Sequence, residues 1–406
     1  MVMDKEATTE DRDDYTQTLS KYILDTVRRC RNCNYCFSAC PLRVSTRGFQ
    51  TQGPSGILQA LYYGVRWNEL GGEAGQELCE ILYNCTTCNS CVNTCKDKSA
   101  GMPLLEVFEK GRNLLVEKML GPLEEQRSVL ASIQRYGNPY QRPASERMPW
   151  LAQESVTPLP DEKAEVLLFV GCTASYEPDL FPLGRAMIRI MNYLEVDFGV
   201  LAEETCCADP VCRIGDKLLF EALAEENQRR FQATGAKTLV TFSPHCMNAF
   251  LKDYEGLEDS FVIRHYTEFL LDRLKARKPE FKVSLNRTVT YHDPCYLSKH
   301  NNILEPPREI LRMIPGVNLL EMKDSRRQSL CCGAGGGRMY AEVEETTRLA
   351  NIRVGQAMDV GAELLATACP YCHVMLSNAV KDLGLEDKIK VMDVAEILAW
   401  SLRIEP

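Results

Sequence analysis

The sequence predicts a multi-domain chain: an α-helical domain over residues 1–137, a proline-rich linker over 138–161, and two tandem α/β domains with parallel sheets over 162–280 and 281–406. Three observations carry this. Two cysteine runs of one spacing lie in the first quarter of the chain, set among apolar residues at helical intervals and with no alternating strand. Pro139, Pro143, Pro149, Pro158 and Pro160 then suppress helix and extend the chain. The remainder of the chain repeats itself. Val166-Leu167-Leu168-Phe169-Val170-Gly171-Cys172 aligns with Val289-Thr290-Tyr291-His292-Asp293-Pro294-Cys295, and Thr205-Cys206-Cys207 with Leu330-Cys331-Cys332. Thr241-Phe242-Ser243-Pro244-His245-Cys246 aligns with Thr367-Ala368-Cys369-Pro370-Tyr371-Cys372.

The first domain opens with apolar Tyr15, Leu19, Tyr22, Ile23 and Val27, which predict a helix over Tyr15–Arg29 leading to the first cysteine run. Two further helices are expected over Gly56–Trp67 and Gly75–Asn84. In each repeat, strand-length apolar runs (Val166–Val170 and Thr238–Phe242, then Thr288–Tyr291 and Leu364–Thr367) alternate with helical stretches such as Leu218–Gln232 and Glu342–Met358. That alternation predicts parallel sheets covered by helices. The cysteines fall just past the strand ends, where loops of an open parallel sheet converge on a ligand.

A chain of 406 residues with 45% apolar content fills two to three domain cores. The N-terminus, MVMDKEATTEDRDD, has neither the apolar run of a secretory signal nor the basic character of a transit segment. No stretch reaches the roughly 18 unbroken apolar residues of a spanning helix. Nineteen cysteines without an export signal argue for metal ligation in a reducing, cytoplasmic compartment of an anaerobe or microaerobe. The expected localisation is cytoplasmic, peripheral at a membrane where a partner subunit holds the chain there. A net charge of −9 with scattered Lys and Arg counts against a nucleic-acid partner.

Cys30, Cys33, Cys36 and Cys40, followed by Pro41, spell C-x2-C-x2-C-x3-C-P, and Cys85, Cys88, Cys91 and Cys95 repeat the spacing without the proline. This is the ligand run of a protein holding two [4Fe-4S] cubanes, in which the fourth cysteine of each run crosses to the other cluster. The expected sets are Cys30, Cys33, Cys36 and Cys95, and Cys85, Cys88, Cys91 and Cys40. Zinc also accepts four thiolates in paired C-x2-C spacings, but needs neither the third cysteine nor the fourth at x3. The first domain therefore reads as a helical two-cubane ferredoxin module.

The second repeat offers Cys295, the vicinal pair Cys331 and Cys332, and Cys369 and Cys372, with Gly333, Gly335, Gly336 and Gly337 beside the pair. Adjacent cysteines make poor corners of a single regular cubane and suit bridged or separate irons. The glycines let backbone approach an inorganic core; they do not form G-x-G-x-x-G after a strand, so no dinucleotide site is expected. The same residues are also compatible with five buried cysteines and a turn.

His292-Asp293-Pro294-Cys295, Cys331-Cys332-Gly333 and Cys369-Pro370-Tyr371-Cys372 resemble the CCG domains of heterodisulfide reductases. The layout from about Cys30 to Val394 is similar to the catalytic subunit of the two-subunit, membrane-associated form and its relatives. The resemblance implies a noncubane [4Fe-4S] cluster on Cys295, Cys331, Cys332, Cys369 and Cys372, which would be the catalytic set. It also implies reductive cleavage of a disulfide between two small thiols, coenzyme M and coenzyme B, with electrons arriving through the cubanes. A membrane cytochrome b or a flavoprotein is the implied redox partner.

The first repeat departs from the pattern, with Ser243 in place of a cysteine and Ala208 in place of the glycine. Cys172, Cys206, Cys207 and Cys246 remain as metal ligands, with Cys212 a possible fifth, so one or two noncubane clusters are expected. Cys79 reads as core. His245, His292 and His373 lie within three residues of expected ligands and suggest hydrogen bonds to sulfur or proton delivery. Lys299 and Arg338 are candidates for holding an anion. The rival function is a non-catalytic electron-transfer subunit linking a flavoprotein, a quinone or an acyl-CoA reductase complex. An iron–sulfur subunit of a lactate or glycolate oxidase is a weaker match.

Overall fold

The structure is a computed structural model in which residues 9–341 and 347–404 are described. The backbone divides into two compact units. One comprises residues 1–131, 210–222 and 333–349; the other holds 132–209, 223–332 and 350–406.

The first unit contains helices α1 (Thr9–Val27), α2 (Pro54–Trp67), α3 (Gly72–Asn84), α4 (Ser90–Lys98) and α5 (Leu104–Glu117), and no strand among its described residues. α1 begins earlier than its periodicity suggests and ends at Val27, where Arg29 N–H turns to the Thr26 carbonyl and tightens the last turn before Cys30. Leu19, Ile23 and Val27, spaced by four, are buried where α1 packs on α2 and α5. Two segments distant in sequence are tied to this bundle by Arg112 of α5, which is fully buried. Its guanidinium donates to the carbonyls of Arg213 (2.7 Å), Gly336 (3.0 Å), Leu82 (2.8 Å) and Cys85 (2.8 Å). A Cβ on Gly335 or Gly336 would stand 2.2 Å from the Thr86 carbonyl oxygen or 2.3 Å from that of Cys85, so only glycine fits against the second cysteine run.

The second unit holds two all-parallel sheets, as expected. In the first, the order is β1 (Thr157–Leu159), β3 (Phe198–Leu201), β2 (Val166–Phe169), β4 (Thr238–Thr241), β5 (Val262–His265). The second runs β7 (Val317–Leu320), β6 (Arg287–Tyr291), β8 (Leu364–Thr367), β9 (Lys390–Asp393). Every residue of β2, β3 and β8 is buried, the pattern of strands covered on both faces. Part of the proline-rich segment forms β1 on the edge of the first sheet, where Pro158 costs no ladder bond in the sheet interior.

Along the repeats the helices are α7 (Phe181–Tyr193), α8 (Asp209–Ile214), α9 (Lys217–Thr234), α10 (Pro244–Lys252) and α11 (Tyr266–Arg277), then α12 (Pro306–Met313), α13 (Leu349–Asp359), α14 (Pro370–Asp382) and α15 (Val394–Leu402), with residues 210–222 of α8 and α9 belonging to the first unit; α6 (Glu124–Tyr136) precedes them. The helix expected over Glu342–Met358 is observed as α13, and residues 342–346 of that expectation lie outside the described residues. α7 packs on α15 and α11 on α12, and one apolar core runs through both sheets. Among the described residues, no helix is long and apolar enough to cross a membrane.

Candidate metal centres

In the helical unit the two cysteine runs fold alike. Asn32 and Asn34 flank Cys33 with φ of 51° and 59°, and Thr87 and Asn89 flank Cys88 with φ of 49° and 66°. Left-handed backbone on both sides of the middle cysteine winds each loop about a centre; for a β-branched threonine it is strained, a cost met at functional sites. One cavity is lined by Cys30, Cys33, Cys36 and Cys95. A second is lined by Cys40, Cys85, Cys88 and Cys91. The fourth cysteine of each run thus stands with the other run's first three, the crossed arrangement read from the spacing.

Burial dominates the electrostatics of the second set, and Arg112 offsets only part of the rise at Cys85. Burial pushes the Cys40 thiol well above its usual range, with Cys88 and Cys85 adding to the rise. Cys91 is raised the same way, first by burial and then by Cys85, Cys88 and Cys40. In the second set, sulfurs withdrawn from water and facing one another suit a multivalent cation that takes their protons; in the first set Cys33 is exposed, and the four-thiol donor chemistry fits a cubane at each place. Met102 N–H donates to Cys95 Sγ at 3.2 Å, and Cys33 Sγ donates to the Ser99 hydroxyl oxygen at 3.2 Å.

In the first repeat, Cys172 sits past β2, Cys206 and Cys207 past β3, and Cys246 on α10 past β4. Their sulfurs form a continuous set, Cys206 engaging Cys172 and Cys207, and Cys207 engaging Cys246. Ser243 Oγ accepts from His245 N–H at 3.2 Å and caps α10. Cys212, on α8, stands beside Tyr15 of α1 within the helical unit. Arg147 reaches Cys172 Sγ at 3.6 Å and forms a buried ion pair with Glu204. Glu204 in turn accepts from Val170 N–H (2.8 Å) and Gly171 N–H (2.9 Å), fixing the backbone that presents Cys172.

In the second repeat, Cys295, Cys331, Cys332, Cys369 and Cys372 are all buried at the carboxyl ends of β6 and β8 and in the loop after β7. Cys372 and Cys332 sulfurs are 3.4 Å apart, and Cys372 also engages Cys369. Cys369 occupies the N-cap position of α14 without a side-chain cap bond, which leaves its sulfur available at a helix N-terminus that favours negative charge. Gly333 has φ of 99°, and Ala208, its counterpart, holds a left-handed φ of 59° despite its methyl group.

His292 belongs to this site. A ring nitrogen of His292 and the sulfurs of Cys332 and Cys372 lie within 4.8 Å of one another. Arg353 Nε–H donates to His292 Nδ1 at 3.0 Å, so the neutral ring carries its proton on Nε2, which has no partner among the described protein atoms. Burial holds the ring far below the usual histidine range, keeping it neutral. With Nδ1 accepting from Arg353, the ring's one proton sits on Nε2, and the ring lies beside the sulfurs of Cys332 and Cys372.

The other candidates are placed differently. His245 contacts Asp209 through Nδ1 at 3.1 Å and stacks on Tyr296 with centroids 3.8 Å apart. His373 lies 3.8 Å from Glu396 and is pushed down to about 4 by burial. Lys299 is buried and donates to the Ser329 carbonyl. Arg338 donates to the Asn84 carbonyl at 3.2 Å within the helical unit. Cys79 is buried on α3, outside both cysteine-lined cavities. Sequence reasoning missed Arg147, Glu204 and Arg353. A lone arginine in a proline-rich segment or an amphipathic helix carries no local signal of the cysteine or histidine it meets.

The family described as Cysteine-rich domain, CCG, matches residues 166–251 and 289–377, one match per repeat. One subunit of the dihydromethanophenazine:CoB–CoM heterodisulfide reductase of Methanosarcina barkeri is 31% identical, covering 95% of this chain and 97% of that one. The probable iron–sulfur-binding oxidoreductase FadF of Bacillus subtilis is 34% identical over 80% of this chain and 47% of its own length. The EtfAB:quinone oxidoreductase of Syntrophomonas wolfei is 32% identical over 79% of this chain and 46% of its own. The chain spans about half the length of these last two relatives.

Proposed function

The chain belongs to the family of heterodisulfide reductase subunits and related iron–sulfur oxidoreductases with two CCG domains, and we propose that it reduces a disulfide at the second repeat. The single observation that carries this reading is the complete five-cysteine set of that repeat, with Cys332 and Cys372 in contact beside the His292 N–H donor. Cys30, Cys33, Cys36 and Cys95 would hold one cubane, Cys85, Cys88, Cys91 and Cys40 the other, and Cys295, Cys331, Cys332, Cys369 and Cys372 a noncubane [4Fe-4S] cluster. When bound, such groups supply one-electron transfer and, at the second repeat, reductive cleavage of a sulfur–sulfur bond.

The reaction is R–S–S–R′ plus two electrons and two protons giving two thiols, so the chain must deliver protons as well as hold metal. His292, neutral and oriented by Arg353, donates a hydrogen bond toward sulfur and steadies developing negative charge there. The N-terminus of α14 acts in the same sense at Cys369 and Cys372. In the first repeat, Cys172, Cys206, Cys207 and Cys246 would hold a further group, with Arg147 offsetting thiolate charge.

The test is anaerobic. Iron should amount to about 12 to 16 atoms per chain, four per cluster, and an artificial donor should drive reduction of a coenzyme M–coenzyme B-type disulfide. Cys331→Ser and Cys332→Ser should abolish turnover while the cubane signals remain; an undiminished rate in both variants excludes catalysis there. A second reading, a non-catalytic electron-transfer subunit of a flavoprotein or quinone complex, is favoured by Ser243 and by the likeness to the Syntrophomonas wolfei oxidoreductase. It holds if the wild type never turns over a disulfide yet exchanges electrons rapidly with a flavoprotein.

A further inference from the structure

We propose that the exposed face beside Cys33 is the docking surface for an acidic electron-carrier protein, one whose redox cofactor is rimmed by carboxylates. The proposal deepens the partner assignment above and rests on the part of it that has electrons arriving through the cubanes. Of the eight cysteines in the two runs, Cys33 is the one exposed to solvent. The set holding it is therefore the place where an outside cofactor comes near.

The charge around it runs against that of the chain. The protein carries a net −9, yet residues 26–68 contain six arginines and not one aspartate or glutamate. Arg28, Arg29, Arg31, Arg43, Arg47 and Arg66 are all exposed. Side-chain contacts join the cysteine loop to α2, which carries Arg66. Asn32 Oδ1 accepts from Gln59 of α2 at 3.0 Å, tying the loop to that helix. On the same helix, the Tyr62 phenol is held below its usual range by its hydrogen bond to Arg28, with Arg66 also contributing. Across the loop, Ser99 touches Cys33, and Lys96 and Lys98 on α4 just before it are exposed. The carboxylates bordering the face include Asp25, 3.4 Å from Arg28, Asp97, and Glu69 and Glu77 beside Tyr63 and Trp67. They leave the balance positive.

The second independent feature is aromatic. Among the described residues, five of the eleven exposed large hydrophobic side chains fall between residues 35 and 67, including Tyr35, Tyr63 and Trp67. Tyr63 stacks on Trp67 at 4.7 Å and meets Tyr62 edge-on at 5.3 Å, continuing the arginine face along α2. Arginine with exposed tyrosine and tryptophan, and few carboxylates, is the composition of a protein interface. Its sign selects an acidic partner and speeds encounter at low salt. In the transfer itself one electron leaves the partner's reduced cofactor and arrives at the set of Cys30, Cys33, Cys36 and Cys95; no bond forms and no proton moves.

The experiment uses the full chain with its metal in place and two oxidised probes, an acidic two-cubane ferredoxin and a basic cytochrome c. Binding is followed calorimetrically, so the readout needs no turnover. The acidic probe should bind at low salt and weaken steeply as salt rises. Arg31→Glu/Arg66→Glu should weaken it about tenfold, whereas the control Arg229→Glu/Lys381→Glu, the same charge change on exposed helix positions of the repeats, should not. Iron content and cubane signals, unchanged in both, show that the fold is intact. Equal binding to both double variants, salt-independent binding, or preference for the basic probe overturns the proposal. Absence of disulfide turnover leaves these binding results untouched and counts only against the catalytic reading.

Discussion

The two repeats share an all-parallel sheet core, five strands in the first and four in the second, and differ in the side chains that decide chemistry. Position for position, Phe169 stands where the second repeat has His292, Glu204 where it has Ser329, and Ser243 where it has Cys369. Phe169 packs edge-on against Phe231 and Phe250, so the first repeat fills with aromatic core the place where the second keeps a polar N–H. Its charge comes instead from Arg147 and Glu204, a buried ion pair that touches Cys172 through an arginine that stays protonated. A site with a permanent cation and one ligand fewer suits holding and relaying charge. A site with a neutral donor and five sulfurs suits bond cleavage. His245 and Tyr371, themselves equivalent, lie against each other at 4.7 Å, so the two sites meet through matching positions.

The strongest way to break the comparison is to convert the second site into the first. Cys369→Ser should lower disulfide turnover by more than about 100-fold, the scale already reached by losing a ligand's supporting contact. It should also remove the spectroscopic features of that site while sparing both cubanes. Turnover within a factor of about two of wild type would mean that the fifth cysteine does not distinguish the repeats.

Next in size is the ion pair peculiar to the first repeat. Glu204→Gln keeps the shape but leaves Arg147 buried without its partner, a change that costs about 3–5 kcal/mol. The variant should melt markedly lower in anaerobic thermal scans, and Arg147→Met/Glu204→Gln together should recover part of the loss. No recovery in the double variant would show that Arg147 matters for its contact with Cys172 and not only for the pair.

Much of this contrast was legible in the sequence. The cysteine runs predict two loops whose fourth members cross, and the two cavities bring the cysteines together in those groups. The strands over Val166–Val170, Thr238–Phe242, Thr288–Tyr291 and Leu364–Thr367 are nearly continuous apolar runs, and the structure places strands there with ends shifted by at most one residue. The edge strands were not readable: Thr157–Leu159 is three residues long, and Val317–Leu320 is only partly buried, so neither leaves an apolar signature. Arg147 and Arg353 were invisible for a different reason. Their partners are 25 and 61 residues away, and only tertiary packing brings a guanidinium to a chosen sulfur or imidazole.

The helix after each final strand gives a pH test of the comparison. His265 and Asp393 both cap the following helix, and burial keeps both uncharged, lowering His265 to about 3 and raising Asp393 to about 8. Asp393 Oδ1 accepts from the Tyr266 hydroxyl and Ala395 N–H, while Oδ2 has no partner among the described atoms. The signs are opposite. Between about 3 and the unfolded histidine value near 6.5, the unfolded chain binds the extra proton at His265, so stability rises with pH. At Asp393 the folded chain keeps the proton from the unfolded value near 3.9 up to about 8, so stability falls with pH across that window. Above about 6.5 only the second effect remains, joined by Glu396, which burial raises to about 7. Melting temperature should therefore decline from about pH 6.5 to 8, and Asp393→Asn should flatten the decline. An unchanged slope in that variant would place the pH dependence elsewhere.

The smallest effect concerns Ser243, and it decides whether the first site uses that residue at all. Its hydroxyl accepts from His245 N–H and satisfies one of the open donors at the start of α10. Ser243→Ala removes the cap and should cost about 1 kcal/mol of stability. If capping is its whole role, iron content and every cluster signal stay as in the wild type. Ser243→Cys loses the oxygen cap too, since sulfur accepts weakly, but adds a thiol at the position that Cys369 fills in the other repeat. It should raise the occupancy of the first site or change its paramagnetic signature, with the cubanes untouched. The two variants together separate a cap from a ligand: a signal lost in Ser243→Ala makes the oxygen a ligand, and a signal unmoved in both means the repeats differ through Arg147 and His292, not through the fifth cysteine.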